Sequence, residues 1–254
     1  MRRFGLIGHP IGHSLSPELF RAGYPCTEDT YELLETDSFE EAISLFDQDY
    51  DAINVTAPFK EKAFLRADAA DEAASFLKAT NLLVKGKSGI KAYNTDFTAV
   101  QTILRNLARL FSDRPRVLVV GCGGAGKAAA YASAMLGFPT KVANRDFAKA
   151  RAFCESAKNL EPARLDLESL YGCGFDILVH TVPLVPECMR NLDFTGRAVI
   201  EANYRDPGLK NLCVESGCHY VPGTEWLVEQ AAAGFAVMTG KHPDLQKLSK
   251  FRIK

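Results

Sequence analysis

The stretch Arg116-Val117-Leu118-Val119-Val120-Gly121-Cys122-Gly123-Gly124-Ala125-Gly126 decides how this chain is read. An apolar run without polar alternation has the pattern of a parallel strand covered on both faces. The glycines then open an alanine-rich helical pattern over residues 127–136. In that context the Gly-x-Gly-x-x-Gly spacing has a mechanical meaning: Gly121 makes the tight turn, Gly123 lets backbone approach a pyrophosphate, and Gly126 lets helix pack closely on strand. Gly124 and Ala125 complete the loop, where free amides and the helix dipole favour an anion. A glycine turn that merely joins strand to helix is the plainer alternative.

The next strand, residues 141–144, selects the dinucleotide. An NAD site carries an acidic residue at its end to hold the ribose hydroxyls. Asn144-Arg145 stands there instead, and Lys149 follows one helical turn on. A guanidinium in that place clamps a 2′-phosphate, so the expected cofactor is NADP. Asp146 would repel that phosphate, unless it serves as the cap of the helix that follows.

Working outward, strand-like and helix-like segments alternate along the whole chain. Residues 4–8, 30–35, 52–56, 81–85 and 89–93 read as one series of strands, and amphipathic stretches at 39–46 and 67–77 lie among them. A second series comprises residues 116–120, 141–144, 176–181, 198–202 and 219–221. Continuous apolar strands alternating with helices indicate an α/β fold with parallel sheets. The polar segment Ser112-Asp113-Arg114-Pro115 separates the two series. A long helical pattern over residues 225–238 closes at Thr239-Gly240, and periodicity does not decide which half it packs on.

The 254 residues carry 30 Lys plus Arg against 31 Asp plus Glu. That balance argues against a nucleic-acid partner, which calls for a basic excess. The basic end, residues 247–254, reads as a solvated tail. No apolar run approaches the roughly 20 residues that span a bilayer, so no membrane partner is expected. The seven cysteines include no Cys-x-x-Cys pair. They read as apolar fillers in a reducing, cytoplasmic setting, with no metal site.

Three segments of the first half carry polar residues that folding does not demand. In Ser14-Leu15-Ser16-Pro17, Ser16 reads as a helix cap and Pro17 as first-turn residue, leaving Ser14 free. Two hydroxyls beside a helix amino terminus also suit a carboxylate. Asn54-Val55-Thr56-Ala57-Pro58-Phe59-Lys60 leads off a strand and places Lys60 in a first helical turn, against the dipole. Tyr93-Asn94-Thr95-Asp96 ends another strand, and Asp96 is either a cap or a functional carboxylate. Carboxyl ends of strands are where α/β sheets bind ligands. A lysine there can exchange a proton with a substrate oxygen while a nicotinamide exchanges hydride with the attached carbon.

These three segments, with Gly121 to Gly126, Asn144-Arg145 and Gly223 through Gln230-Ala231, resemble the shikimate dehydrogenase family in the same order along the chain. The resemblance implies an α/β substrate domain at residues 1–98, a Rossmann domain at 99–223, and last helices (224–254) packing back on the first. It implies NADP-dependent reduction of 3-dehydroshikimate to shikimate in aromatic amino-acid biosynthesis. Lys60 would be the acid/base with Asp96 as partner, and Ser14 and Ser16 would bind the carboxylate. Thr56, Asn81, Tyr204 and Gln230 would complete the pocket. Thr181 and Gly223 would join the glycine loop, Asn144, Arg145 and Lys149 around the cofactor. A small-molecule substrate is the expected partner, in a monomer or homodimer.

The chain departs from the family pattern at Leu82, where threonine is usual, at Ala99 for glycine, at His180 beside the nicotinamide, and at Asp206-Pro207-Gly208-Leu209 after Tyr204. The alternatives are a quinate/shikimate paralogue using NAD or NADP, and a dinucleotide-binding relative without efficient chemistry.

Overall fold

The computed structural model describes residues 1–252. They form two compact units, Met1–Thr95 with Val228–Lys254, and Asp96–Leu227.

In the first unit the chain runs β1 (Arg3–Gly8), α1 (Ser16–Gly23), β2 (Thr30–Glu35), α2 (Phe39–Asp49), β3 (Ala52–Val55), α3 (Lys60–Arg66), β4 (Ala69–Ala70), α4 (Glu72–Leu77), β5 (Leu82–Gly86) and β6 (Gly89–Tyr93). Among the described residues these strands make a six-stranded sheet in the order β2-β1-β3-β5-β6-β4. β1 pairs in parallel with β2 and β3, whereas β5 is antiparallel to both β3 and β6. The sheet is therefore mixed, not parallel throughout. The Gly86↔Gly89 pairing shows why: so short a connection closes a hairpin, while a parallel return needs a long crossover.

Residues 67–77, expected as one amphipathic stretch, divide into β4 and α4. Asp71 makes the break by capping α4 through Ala74 N at 2.7 Å. Ser16 is likewise not the cap of α1. Leu15 holds that position, and Ser16 is the first helical residue, its own amide donating to Ser14 Oγ at 3.3 Å.

The second unit contains most of α5 (Thr95–Ala108), then β7 (Val117–Val120), α6 (Gly124–Met135), β8 (Thr140–Asn144), α7 (Phe147–Cys154), β9 (Leu160–Arg164), α8 (Leu167–Tyr171), β10 (Ile177–His180), β11 (Ala198–Glu201), α9 (Lys210–Ser216) and β12 (His219–Val221). Its sheet has the order β12-β11-β10-β7-β8-β9, and every pair is parallel. β7 and β10 are buried along their whole length, as the apolar runs Val117–Val120 and Ile177-Leu178-Val179 dictate, with His180 the polar end of β10. β9 was not anticipated because Pro162 interrupts it, and proline is tolerated there because β9 is an edge strand.

α10 (Gly223–Thr239) and α11 (Leu245–Ser249) end the chain. From Val228 onward they belong to the first unit. Phe235 packs edge-on against Phe20 at 5.3 Å and Tyr31 at 5.6 Å. Arg2 donates to the carbonyls of Met238 and Thr239 at 3.3 and 3.0 Å, serving the unsatisfied end of α10. The basic end is accordingly no simple solvated tail: Leu248 is fully buried and Arg252 pairs with Glu229. Its last two positions, 253 and 254, lie outside the described residues.

Cys122, Cys154 and Cys213 are buried, Cys173, Cys188 and Cys218 half-buried, and Cys26 exposed, all as free thiols. Burial pushes the Cys154 thiol up to about 12, so it behaves as an inert filler. Among the described residues no helix is long and apolar enough to cross a membrane, and no group of side chains could hold a metal ion.

Candidate active site

In the first unit, polar side chains form a Ser14–Ser16 pair and a largely buried relay that runs from Tyr31 to Gln230. Ser14 Oγ donates to Ser16 Oγ at 3.1 Å. The Tyr31 hydroxyl lies in the same buried region, and burial pushes its pKa up, so it stays a neutral donor. Tyr31 donates to Asn54 Oδ1 at 2.7 Å, and Asn54 Nδ2 donates to the Asn81 carbonyl at 3.0 Å. Asn81 then divides its amide: Oδ1 accepts from Thr95 N at 2.8 Å, while Nδ2 faces Thr95 Oγ1 at 2.9 Å and Gln230 Oε1 at 3.4 Å. Buried polar groups of this kind are stable only when satisfied, and mutual satisfaction fixes their orientation.

Ser14 with Ser16, and Asn81 with Gln230, are thus brought together. Tyr31, Asn54 and Thr95 join them, and the sequence reading did not single these out as site residues. Asn54 did leave a signal, since an asparagine inside the apolar run Ala52-Ile53-Asn54-Val55 needs a buried partner.

Thr56 follows β3 and donates its amide to Ile7 O at 2.9 Å. A methyl group added at Gly8 would sit 2.4 Å from Thr56 Cγ2, so the two strand ends approach as closely as glycine permits. Lys60 is half-buried at the first position of α3, and its carbonyl accepts from Thr80 N at 3.0 Å. Thr80 ties the backbone together beside the departure at Leu82. Its hydroxyl lies 2.6 Å from the Tyr93 carbonyl and 2.8 Å from that of Leu82, joining β5 to β6, while Leu82 is fully buried.

In the second unit, Asp96 lies inside the first turn of α5 and does not cap it. Trp226 Nε1 donates to Asp96 Oδ1 at 3.1 Å, a partner that sequence spacing gave no sign of. Ala99 is buried in the core beneath.

The glycine turn fits a pyrophosphate. Gly121 has φ +108°, a conformation disfavoured for other residues, and its amide donates to Ala143 O at 2.8 Å. A methyl at Gly126 would lie 2.0 Å from the Gly121 carbonyl and 2.9 Å from Thr181 Oγ1. One at Gly123 would meet nothing within 4 Å, so this face of the turn is open. Gly124 and Ala125 start α6, whose cap position carries no side-chain hydrogen bond. Its first amides are therefore available to an anion.

Asn144 braces the turn by accepting from Cys122 N at 3.2 Å and donating to Asp146 O at 2.9 Å. Asp146 caps α7 through Lys149 N at 3.1 Å. Arg145 and Lys149 are both exposed beside it. Tyr204 is half-buried after β11, where burial pushes its phenol up. Gly223 opens α10 against the carbonyls of Glu201 and Ala202, leaving no room for a side chain.

The shikimate dehydrogenase (NADP(+)) of Staphylococcus aureus (strain bovine RF122 / ET3-1) is 31% identical over 266 residues, spanning 97% of this chain and 96% of the relative. The chain belongs to the shikimate dehydrogenase family. A family model for the shikimate dehydrogenase substrate binding domain matches residues 6–83. The crystal structure of the Thermus thermophilus shikimate 5-dehydrogenase, in complex with NADP(H) and shikimate, superposes with a TM-score of 0.85 at 25% identity, covering 99% of this chain and 98% of that one. The Aquifex aeolicus shikimate dehydrogenase gives a TM-score of 0.87 at 25% identity, covering 100% of this chain and 98% of its own. The serine pair and the relay from Tyr31 to Gln230 are thus features of a shikimate dehydrogenase family member, as is the glycine turn.

Proposed function

We propose that this chain is an NADP-dependent shikimate dehydrogenase of aromatic amino-acid biosynthesis, interconverting 3-dehydroshikimate and shikimate. The observation that carries the reading is the serine pair together with the relay from Tyr31 to Gln230, in a chain whose relatives are named for this reaction. Its substrate has one carboxylate, several hydroxyls and one ketone. Ser14 and Ser16 offer hydroxyls at the amino end of α1 and take the carboxylate. Thr56, Asn81, Tyr204 and Gln230 offer donors and acceptors to the hydroxyls.

Bound NADPH supplies hydride to the ketone carbon. The glycine turn and the start of α6 hold its pyrophosphate, with Thr181 in the adjoining loop and Gly223 at the start of α10. Arg145 and Lys149 take its 2′-phosphate, since the Asp146 carboxylate is occupied as the α7 cap. Lys60 gives its proton to the oxygen that becomes the alcohol and takes it back in the reverse direction. Asp96, oriented by Trp226, accepts from a substrate hydroxyl.

The protein works as a cytoplasmic enzyme on this reading, which its buried free thiols support. The test is a panel of shikimate and quinate against NADP+ and NAD+, following reduced-nicotinamide absorbance. Shikimate with NADP+ gives the highest kcat/KM. Preference for quinate or NAD+ would identify a paralogue, and cofactor binding without turnover on either acid would sink the enzymatic reading.

A further inference from the structure

Two buried ionisable side chains in the second unit take no part in the chemistry above. His180 ends β10 and Glu201 ends β11. They face each other in register, and each is only 1% exposed. Glu201 is surrounded by donors. Oε1 accepts from Gly208 N at 2.7 Å, both oxygens from Leu209 N at 3.2 Å, and Oε2 from the Tyr220 hydroxyl at 2.8 Å. Burial alone would push this carboxyl up, yet His180, Tyr220 and the Leu209 amide hold it below the usual range. His180 has no hydrogen bond on either ring nitrogen, and Glu201 Oε1 lies 3.6 Å from its Nδ1.

A buried carboxylate that accepts consecutive backbone amides determines where that backbone lies. The backbone in question is the end of the turn that carries Asn203 and Tyr204. Asn203 closes the rest of it, accepting from Arg205 N at 3.1 Å and Asp206 N at 3.3 Å, and donating to Asp206 O at 2.8 Å and Pro183 O at 3.3 Å. On the other side, His180 directly precedes Thr181, whose hydroxyl packs on Gly121 and Gly126.

We propose that Glu201 and His180 are positioning residues for turnover: the carboxylate latches the turn that presents Tyr204, and His180 fixes the carboxylate to the strand that backs the glycine loop. The departure at His180 is then functional, because its imidazole faces the Glu201 carboxylate in register. This proposal rests on the dehydrogenase reading and on Tyr204 as a pocket residue.

The test is a double-mutant cycle with Tyr204→Phe, read as kcat and KM for shikimate, together with hydrogen exchange of the peptide covering residues 203–209. Glu201→Gln keeps the shape but removes the charge, and is expected to lower kcat/KM by roughly tenfold. In the Tyr204→Phe background the same change should cost less than about twofold, because the latch acts through that tyrosine. A merely structural glutamate would give its full loss in both backgrounds, which overturns the proposal, as would wild-type kinetics. If Glu201→Gln does not fold, His180→Asn decides: it leaves the amide and tyrosine donors in place and should cost roughly threefold, again only with Tyr204 present. Wild-type kinetics or additivity in that variant likewise overturn the latch. Exchange over residues 203–209 should quicken in either variant, and unchanged exchange counts against it. A wild-type protein that does not turn over shikimate defeats the dehydrogenase reading, and the exchange data then decide the latch by themselves.

Discussion

The two units hold their functional groups by opposite means. In the first, side chains hold side chains: Ser14 holds Ser16, and Tyr31, Asn54 and Asn81 lead to Gln230 across a mixed sheet. In the second, the absence of side chains is the device, since Gly121 and Gly126 touch Thr181 and the backbone so closely that one methyl group would not fit. A polar relay is tuned by satisfaction and fails gradually. A steric fit at 2.0 Å fails at once.

This difference can be tested by substitution. The largest effect should come from Lys60→Ala, which removes the proton donor and should lower kcat by roughly 10²-fold or more with cofactor KM little changed. Retained turnover would show that the acid/base group lies elsewhere. Gly126→Ala comes next. Overpacking of this kind costs about 1–3 kcal/mol, and here it also displaces the turn, so NADP+ KM should rise by roughly tenfold or more with a lowered Tm. Unaltered NADP+ binding by titration calorimetry would mean that the turn has slack the geometry does not show.

Asn81→Ala should behave as the relay predicts, leaving the buried Thr95 amide unpaired at about 1–3 kcal/mol. In a protein of this size that lowers Tm by several degrees, and shikimate KM should rise while NADP+ KM stays put. A matching rise for NADP+ would erase the distinction between the units. Arg145→Ala removes an exposed cation, so a several-fold rise in NADP+ KM with NAD+ unchanged is expected, short of the roughly tenfold per 1.4 kcal/mol of a buried contact.

The smallest effect tests the far end of the second sheet. The Arg116 guanidinium beside Asp176 holds that carboxyl below its usual range. A depressed folded value adds stability that is present above the unfolded pKa of about 3.9 and lost as pH falls through the folded value. Asp176→Asn should flatten the fall of Tm with pH in that acid window and leave both KM values alone. An equally steep fall would remove Asp176 from the acid response.

What was legible in the sequence follows the same division. The glycine turn could be read because its demands are local: strand, turn and helix stand side by side in the chain, and each glycine answers a constraint close by in sequence. Asp146 could be read both ways, and only the distance to Lys149 N showed it to be a cap. The relay could not be read, since Tyr31 meets Asn54 and Asn81 meets Gln230 across separations of 23 and 149 residues that no periodicity encodes. Ser16 was misplaced by one position because Ser14 offers its hydroxyl to the same amide that a cap would leave exposed. Trp226 on Asp96 left no trace at all, for a tryptophan in a helix reads as core whether or not its indole nitrogen has found a carboxylate.

The grip of Arg2 on the carbonyls of Met238 and Thr239 bears on the order in which the protein is made. Residues 96–227 form one uninterrupted piece, so the second unit has its whole core as soon as Leu227 leaves the ribosome. The first unit begins to emerge earlier but must wait, with the surface of Phe20 and Tyr31 uncovered, until Phe235 arrives. Synthesis therefore inverts the usual amino-terminal-first sequence of domain maturation. The unit that holds the serine pair and the relay is the last to be completed.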